Sequence, residues 1–189
     1  MNEVQDQIKK NYRETERLRK QRIELFSKLA AKRLKDDYYF KDKNGRRKKL
    51  GSLFGKQKYL FMIHNMGKKC SYCTMWADGL NDTFKYLKKK GAFVVVSPDD
   101  FETQKKFADS RGWKFNMLSP DNNSFLKDVG FEYNVNGSTY HLPGVSVFEK
   151  TRGGNIRRVA MDYFGPTDNY CNVWHFYDLL PTENITFNS

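Results

Sequence analysis

Two cysteines stand three positions apart in Cys70-Ser71-Tyr72-Cys73, and this spacing supports two chemistries. In thiol-disulfide exchange one thiolate attacks a substrate disulfide, and the second thiol, one turn away, resolves the mixed disulfide. In a zinc site the pair supplies two of four ligands and a second short-spaced pair ordinarily supplies the others. Because the thiolate is the nucleophile, the first chemistry requires a lowered pKa. The first turn of a helix provides it through unpaired N–H groups and the positive end of the helix dipole. Lys68 and Lys69 directly precede the motif and are expected to favour the anion further. On this reading Cys70 is the nucleophile and Cys73 the resolving thiol.

The surrounding pattern supplies such a helix. Cys73, Ala77, Leu80, Phe84 and Leu87 recur at spacings of 4, 3, 4 and 3, one face of a helix that stops at Lys90-Gly91. Cys73 belongs to that core face and Cys70 points off it, which favours an accessible Cys70. Ahead of the motif, residues 58–64 (KYLFMIH) form an apolar run of strand length, as in a central strand covered on both faces. Residues 92–97 read as a second buried strand, 100–111 as a helix, 114–118 as a short strand and 121–129 as an irregular or helical turn. Two strands, 145–149 and 157–161, follow a turn apart, and a last helix is predicted from Thr167 or Asp168 to Leu180. The order β-α-β-α-β, then β-β-α, with C-x-x-C at a strand-to-helix junction, is the thioredoxin arrangement: α/β, a central mixed β-sheet flanked by helices.

Residues 3–34 lack Gly and Pro and place apolar residues at Val4, Ile8, Tyr12, Ile23, Phe26, Ala30 and Leu34. They predict one or two amphipathic helices, an N-terminal extension whose stripe must pack on the main domain or on a second copy of itself. Residues 1–36 are read as this basic helical arm and 37–189 as the thioredoxin-like domain. Between them lie a strand candidate at Tyr38–Phe40 and a polar hairpin or loop around Asn44-Gly45.

Residues 142–148 (LPGVSVF) resemble the strand-opening proline segment of the thioredoxin family. That resemblance implies a cis Leu142-Pro143 bond against the dithiol, with a backbone that holds an incoming substrate strand. A closer likeness lies in residues 70–79 (CSYCTMWADG), 93–97 (FVVVS), 111–115 (RGWKF), 143–148 (PGVSVF) and 174–181 (WHFYDLLP). Across about residues 50–181 the chain resembles DUF899, a bacterial thioredoxin-like family. This resemblance implies the thioredoxin fold but little biochemistry: Cys70 and Cys73 are read as catalytic from the motif itself, Leu142 and Pro143 are placed at the substrate by the wider thioredoxin likeness, and Trp76, like Trp113, could line a substrate surface although a core role is the commoner reading. Two places depart from the family pattern: the arm lacks a Leu-Pro before the first strand, and residues 162–173 (DYFGPTDNYCNV) replace a polar Gly-containing loop. The second departure introduces Cys171, to which the family gives no role.

Composition narrows the classes. With 39% hydrophobic, 15% aromatic and 30% charged residues, the 189-residue chain is expected to fold as one domain with an appendage. No apolar run reaches the roughly 20 residues that span a bilayer, and the start, MNEVQDQIKK, is hydrophilic. A cytoplasmic location without membrane association is therefore expected, and it favours the reducing direction. The net charge of +12 is concentrated in residues 1–50, which carry 17 Lys and Arg against 8 Asp and Glu. Aromatics interleaved for base stacking are missing from that run, so a solvated helix face is preferred to nucleic-acid binding. No G-x-G-x-x-G or P-loop signature occurs and no organic cofactor is expected.

Rival readings attach to several residues. Cys171 with His64, His141 or His175 could complete a Cys3His zinc set, though these ligands are scattered. Peroxidase chemistry is disfavoured because residues 64–69 offer neither the Pro nor the Thr or Ser that precede the reactive Cys in peroxiredoxins. Trp113 reads as core before contact, and His175 as a packing residue. Asp78 could accept a proton from Cys73 but lies about 140° around the helix from it. Without a proline between the cysteines no reduction potential can be assigned by analogy. The leading expectation is a thiol-disulfide oxidoreductase acting on a protein or small-molecule disulfide with an unidentified electron donor, and with the arm able to form a homodimer. The competing class is a non-catalytic module that engages an acidic partner through the arm.

Overall fold

The computed structural model describes residues 2–30, 32–34, 38–166 and 168–181. One helix, α1 (Glu3–Ala30), replaces the one-or-two helices expected, and leads into β1 (Lys32–Arg33), β2 (Tyr39–Asp42) and β3 (Arg47–Lys49). The boundary drawn at residues 36 and 37 lies outside the described residues. Asn44-Gly45 makes the β2–β3 turn: Gly45 takes a φ of 71°, and Asp42 Oδ1 accepts the Asn44 and Arg46 N–H groups at 2.9 and 3.0 Å. Past a 3-10 turn at Leu50–Phe54 come β4 (Tyr59–His64), α2 (Ser71–Leu87), β5 (Ala92–Val96), α3 (Phe101–Arg111) and β6 (Asn116–Pro120). The chain continues through α4 (Phe125–Asp128), β7 (Glu132–Val135), β8 (Ser138–His141), β9 (Gly144–Lys150), β10 (Ile156–Tyr163) and α5 (Asn172–Tyr177).

Among the described residues eight strands form one mixed sheet in the order β1-β10-β9-β4-β5-β6-β2-β3, while β7 and β8 pair separately. The pairs β4–β5 and β5–β6 are parallel and the others antiparallel. Strand β4 sits inside the sheet with both faces covered, which explains its unbroken apolar run. Leu60 and Met62 point to one face, into a core with Phe40, Phe125, Phe131 and Phe148 that α1 closes through Phe26 and Ala30. Phe61 and Ile63 point to the other, where α2 brings Trp76, the segment after α3 brings Trp113 and α5 brings Trp174. This is the thioredoxin-like architecture anticipated above, with its N-terminal helix. Among the described residues no helix is long and apolar enough to cross a membrane.

Three features differ from expectation. The hairpin β7–β8 is new; its residues are mostly exposed, so no apolar alternation marks it, and Asn136-Gly137 turns it with φ of 49° and 80°. The last helix is confined to Asn172–Tyr177. Thr167 lies outside the described residues, and Asp168 folds a turn in place of capping a long helix: Oδ1 accepts the Tyr170 and Cys171 N–H groups, and Oδ2 that of Gly165. The Leu142-Pro143 bond is trans, since no described peptide is cis. Leu142 N–H donates to Phe131 O at 3.0 Å and Pro143 O accepts from Phe164 N–H at 2.9 Å. The chain therefore runs extended from β8 into β9 between fixed neighbours, and trans is the ordinary isomer.

Gly144 opens β9 between β4 and β10, paired with His64 on one side and Tyr163 on the other. A Cβ there would lie 2.4 Å from Asp162 O and 2.6 Å from Phe131 Cε1. Gly144→Ala is expected to cost about 2 kcal/mol through overpacking. Urea unfolding with a lower midpoint and unchanged slope would register this; an unchanged midpoint would refute it.

Candidate active site

Strand β4 ends at His64, and residues 65–69 carry the chain across the sheet's end to α2. Asn65 shapes that loop. Its N–H donates to Val96 O at 2.9 Å, its Oδ1 accepts the Gly67 N–H at 2.8 Å, and its Nδ2 reaches Cys73 O at 3.4 Å. Gly67 takes a φ of 106°, which a side chain would resist, and its α-carbon faces Asp99, whose Oδ2 accepts the Lys68 N–H at 2.7 Å. The loop is thus tied to the end of β5 at two points. Neither Asn65 nor Asp99 is singled out by the sequence pattern. An Asn just after a buried strand signals an Asx turn, whereas Asp99 acts across 31 positions and leaves no local signal.

The loop delivers Cys70 to the N-cap of α2, with extended dihedrals of −93° and 104°. Its Sγ accepts the Cys73 N–H at 3.1 Å, the position a Ser or Asp side chain occupies in an ordinary cap. Cys70 is half-buried and Cys73 buried, and both thiols are free. The two are held very differently. The Cys70 pKa is pushed down to about 7, first by hydrogen bonding from the Cys73 thiol and then by the Cys73 and Tyr72 N–H groups, against the opposing effect of burial. Cys73 is pushed well up by that same bond to Cys70 and by burial, with a modest opposing contribution from the Met66 N–H at 3.4 Å. The arrangement favours ionisation of the outer sulfur over the inner one. Lys68 and Lys69 are exposed and do not figure among the causes, so the lowering expected of them is supplied by hydrogen bonds.

Other anticipated residues fall as follows. Trp76 is buried at 4% exposure, packed at tilted or edge-on angles among Tyr72, Phe164 and Trp174 at centroid distances of 6.2, 5.4 and 6.4 Å, and its Nε1 has no hydrogen-bond partner among the described residues. It also borders a cleft of about 850 Å³ along α2, walled by Lys69, Ser71, Thr74, Met75 and Cys171. Cys171 is buried at the start of α5 and its pKa is raised by burial. Asp78 takes no part at the dithiol: it pairs with Arg111 and accepts the Trp113 Nε1–H at 2.8 Å. Leu142 packs with the core on the opposite sheet face from Cys70, and the Leu142 N–H and Pro143 O are already bonded within the fold.

The possible zinc ligands are spread apart. His64 lies under the sheet, Nε2 bonded to Ser146 Oγ at 2.9 Å and ring stacked on Phe131 at 3.7 Å, and burial followed by the nearby Arg158 charge lowers its pKa well below the usual value. His141 pairs with Glu132 at 3.4 Å in the separate hairpin. Among the described residues no three His, Cys, Asp or Glu side chains converge on a metal position.

Comparison with known proteins gives a consistent frame. A family model described as bacterial protein of unknown function (DUF899) matches residues 2–183. Peroxiredoxin Q, chloroplastic, from Suaeda salsa is 26% identical over 163 residues, 86% of this chain and 74% of that protein. Among solved structures, PrxQ of Xylella fastidiosa superposes with a TM-score of 0.61 at 12% identity, over 78% of this chain and 91% of that one. Peroxidoxin BcpB from Mycobacterium tuberculosis superposes with a TM-score of 0.59 at 18% identity, covering 71% and 84%. At these identities the structural likeness establishes the fold.

Alkylation of Cys70 by iodoacetamide, followed on its own peptide by mass spectrometry, is expected to rise with pH through a midpoint of about 7. Cys73→Ala removes the thiol donor and should move that midpoint up toward the ordinary thiol value of about 8.5. A midpoint unmoved in the variant would show that the Cys73 thiol does not hold the anion.

Proposed function

This chain belongs to the bacterial family DUF899, and on that premise we propose that it is a thiol-disulfide oxidoreductase whose working groups are Cys70 and Cys73. One observation carries the reading: an N-cap thiol pushed down to about 7 stands beside a buried thiol pushed up, so that one is poised as nucleophile and the other as reserve. The likeness to a protein named peroxiredoxin Q supports thiol redox chemistry at a coarser level.

The Cys70 thiolate attacks one sulfur of a disulfide R–S–S–R′, forming Cys70–S–S–R and expelling R′–S⁻. Cys73 then attacks the Cys70 sulfur, passing its proton to the departing R–S⁻. The substrate leaves as one thiol and one thiolate, which takes its proton from solvent, with two electrons gained, and Cys70–Cys73 becomes a disulfide that an external dithiol donor must reduce. Once Cys70 is in the mixed disulfide it no longer carries the charge that held Cys73 protonated, so the second thiol becomes easier to ionise when it is needed. The α2 cleft beside Trp76 is the surface on which the substrate lies.

A second reading keeps Cys70 as nucleophile and makes a peroxide the electrophile. It is favoured by the peroxiredoxin relatives. The thiolate would take one oxygen from ROOH to give a sulfenic acid and ROH, and Cys73 would close the disulfide with release of water. Assaying both substrates decides between them. For the oxidoreductase, Cys70→Ser should lose disulfide reduction by on the order of a thousandfold or more, and Cys73→Ser should accumulate a mixed disulfide at Cys70 visible in the intact mass. Undiminished turnover in Cys70→Ser would sink both readings, and rapid peroxide consumption with sluggish disulfide reduction would select the second.

The arm completes the proposal. Residues 3–25 of α1 are all exposed, and Val4, Ile8, Tyr12, Leu18, Ile23, Leu25 and Leu29 fall within an arc of about 160° that also holds Phe26 and Ala30, which face the domain. The stripe that anchors the helix thus continues into solvent, where the α1 of a second copy would cover it. Sedimentation at micromolar concentration should give a dimer that Ile8→Glu dissociates; a monomer would leave the arm to an acidic partner.

A further inference from the structure

At the far end of α2 from the dithiol, about 25 Å away along a 17-residue helix, lies a second cleft of about 550 Å³. Its walls are the β2–β3 turn, the 3-10 turn with the loop after it, the last turn of α2, and the first residues of β5 and β6. The charge in these walls is one-sided. Lys43, Lys48, Lys56, Lys88 and Lys114 all border the cleft, and none of the five has a carboxylate partner among the described residues. The acid in the wall, Asp42, is consumed locally: Oδ1 takes two backbone N–H groups and Oδ2 pairs with Arg46 at 2.9 Å. Some cations elsewhere are paired. Glu149 holds Lys58 and Arg157, Asp121 holds Lys41 and Arg47, and α1 carries ion pairs along its length. What marks these five ammonium groups is that they gather around one concavity whose lone acid is already engaged.

Beneath them the floor is apolar, made by Leu53, Phe84 and Phe115, and Lys88 stands over the Phe84 ring at 5.9 Å. A low-dielectric concavity ringed by one sign of charge focuses the field and concentrates counter-ions. Its size is that of small-molecule sites, roughly 300–1,000 Å³. Lysines act as point charges toward phosphate and need no glycine-rich cradle, so the lack of a P-loop does not argue against such a ligand. From this juxtaposition we infer that the cleft is a second binding site, separate from the dithiol, for an organic polyphosphate of nucleoside triphosphate size: the phosphates lie among the lysines and the apolar moiety on the phenylalanine floor.

Calorimetric titration of the full chain with ATP and with inorganic tripolyphosphate tests this. Saturable ATP binding is expected, weakening as salt rises and reduced by about tenfold or more in Lys48→Glu/Lys114→Glu. Lys10→Glu/Lys127→Glu, with the same change in net charge outside the cleft, should leave ATP binding within about twofold, and Cys70 alkylation should be unaffected in both variants. The inference is overturned if ATP does not saturate below about 1 mM, or if both double variants lose binding equally. Tripolyphosphate binding as tightly as ATP would overturn the assignment of an organic ligand. A single-stranded oligonucleotide binding more tightly than ATP and unaffected by Lys48→Glu/Lys114→Glu would also overturn it, placing the affinity in the α1 arm.

Discussion

The N–H of Cys73 donating to the sulfur of Cys70 is the interaction on which the rest of the site turns. It makes a thiol serve as a helix cap, a task in which an anion does better than a neutral group because four N–H donors of the first turn lack partners. Capping and reactivity are thereby one property: whatever stabilises the start of α2 also stabilises the thiolate. The bond can form only if Cys70 arrives with extended dihedrals at the end of a fixed strand. The surrounding structure meets that demand. Asn65 and Asp99 tie the approach loop to β5, Gly67 supplies the left-handed bend, and the Cys70 carbonyl receives both the N–H and the Oγ1–H of Thr74 at 3.1 Å.

Beneath the loop the position of β4 matters more than its composition. With β5 parallel on one side and β9 antiparallel on the other, the strand cannot shift register without moving two neighbours. Its side chains alternate into two separate cores, so the dithiol face and the α1 face are packed independently through a shared backbone. His64 marks the division. Its backbone ends the strand below the loop that leads to Cys70, while its ring is committed to Ser146 and Phe131 on the other side. A histidine one loop away from a reactive thiol would ordinarily invite a catalytic role, and the pleat of the strand removes it.

Where burial and periodicity coincided, the sequence was legible. β4 and β5 read as continuous apolar runs and are buried on both faces; α2 read as a 4-3-4-3 stripe and buries Cys73, Trp76 and Ala77. The spacing of the cysteines singled out the candidate site, and the family resemblance in residues 70–79 agreed with the family match. Features built from polar backbone geometry did not read through. The β7–β8 hairpin is exposed, so its Asn136-Gly137 turn had no apolar strands to punctuate. Asp168 suits a cap and a local turn equally well, and only the neighbouring N–H groups decide between them. The cis proline was carried over from the wider fold, and here the bonds of Leu142 and Pro143 to Phe131 and Phe164 hold a straight entry into β9. The source of the Cys70 shift was misplaced for a related reason: sequence shows adjacent lysines but not which donors face the sulfur.

The two outer strands of the large sheet have a consequence for how the protein meets other chains. At one border stands β1, two residues long, and at the other β3, reading Arg47-Lys48-Lys49. Brief or lysine-rich borders are poor templates for a further strand, since an incoming backbone gains few hydrogen bonds and must approach concentrated positive charge. Lateral growth of the sheet is thus discouraged on both flanks, against aggregation and against partners that would add a strand there. Encounters are directed instead to the ends and helical faces of the molecule, where the Cys70 sulfur, the lysine-ringed cleft and the exposed length of α1 are displayed.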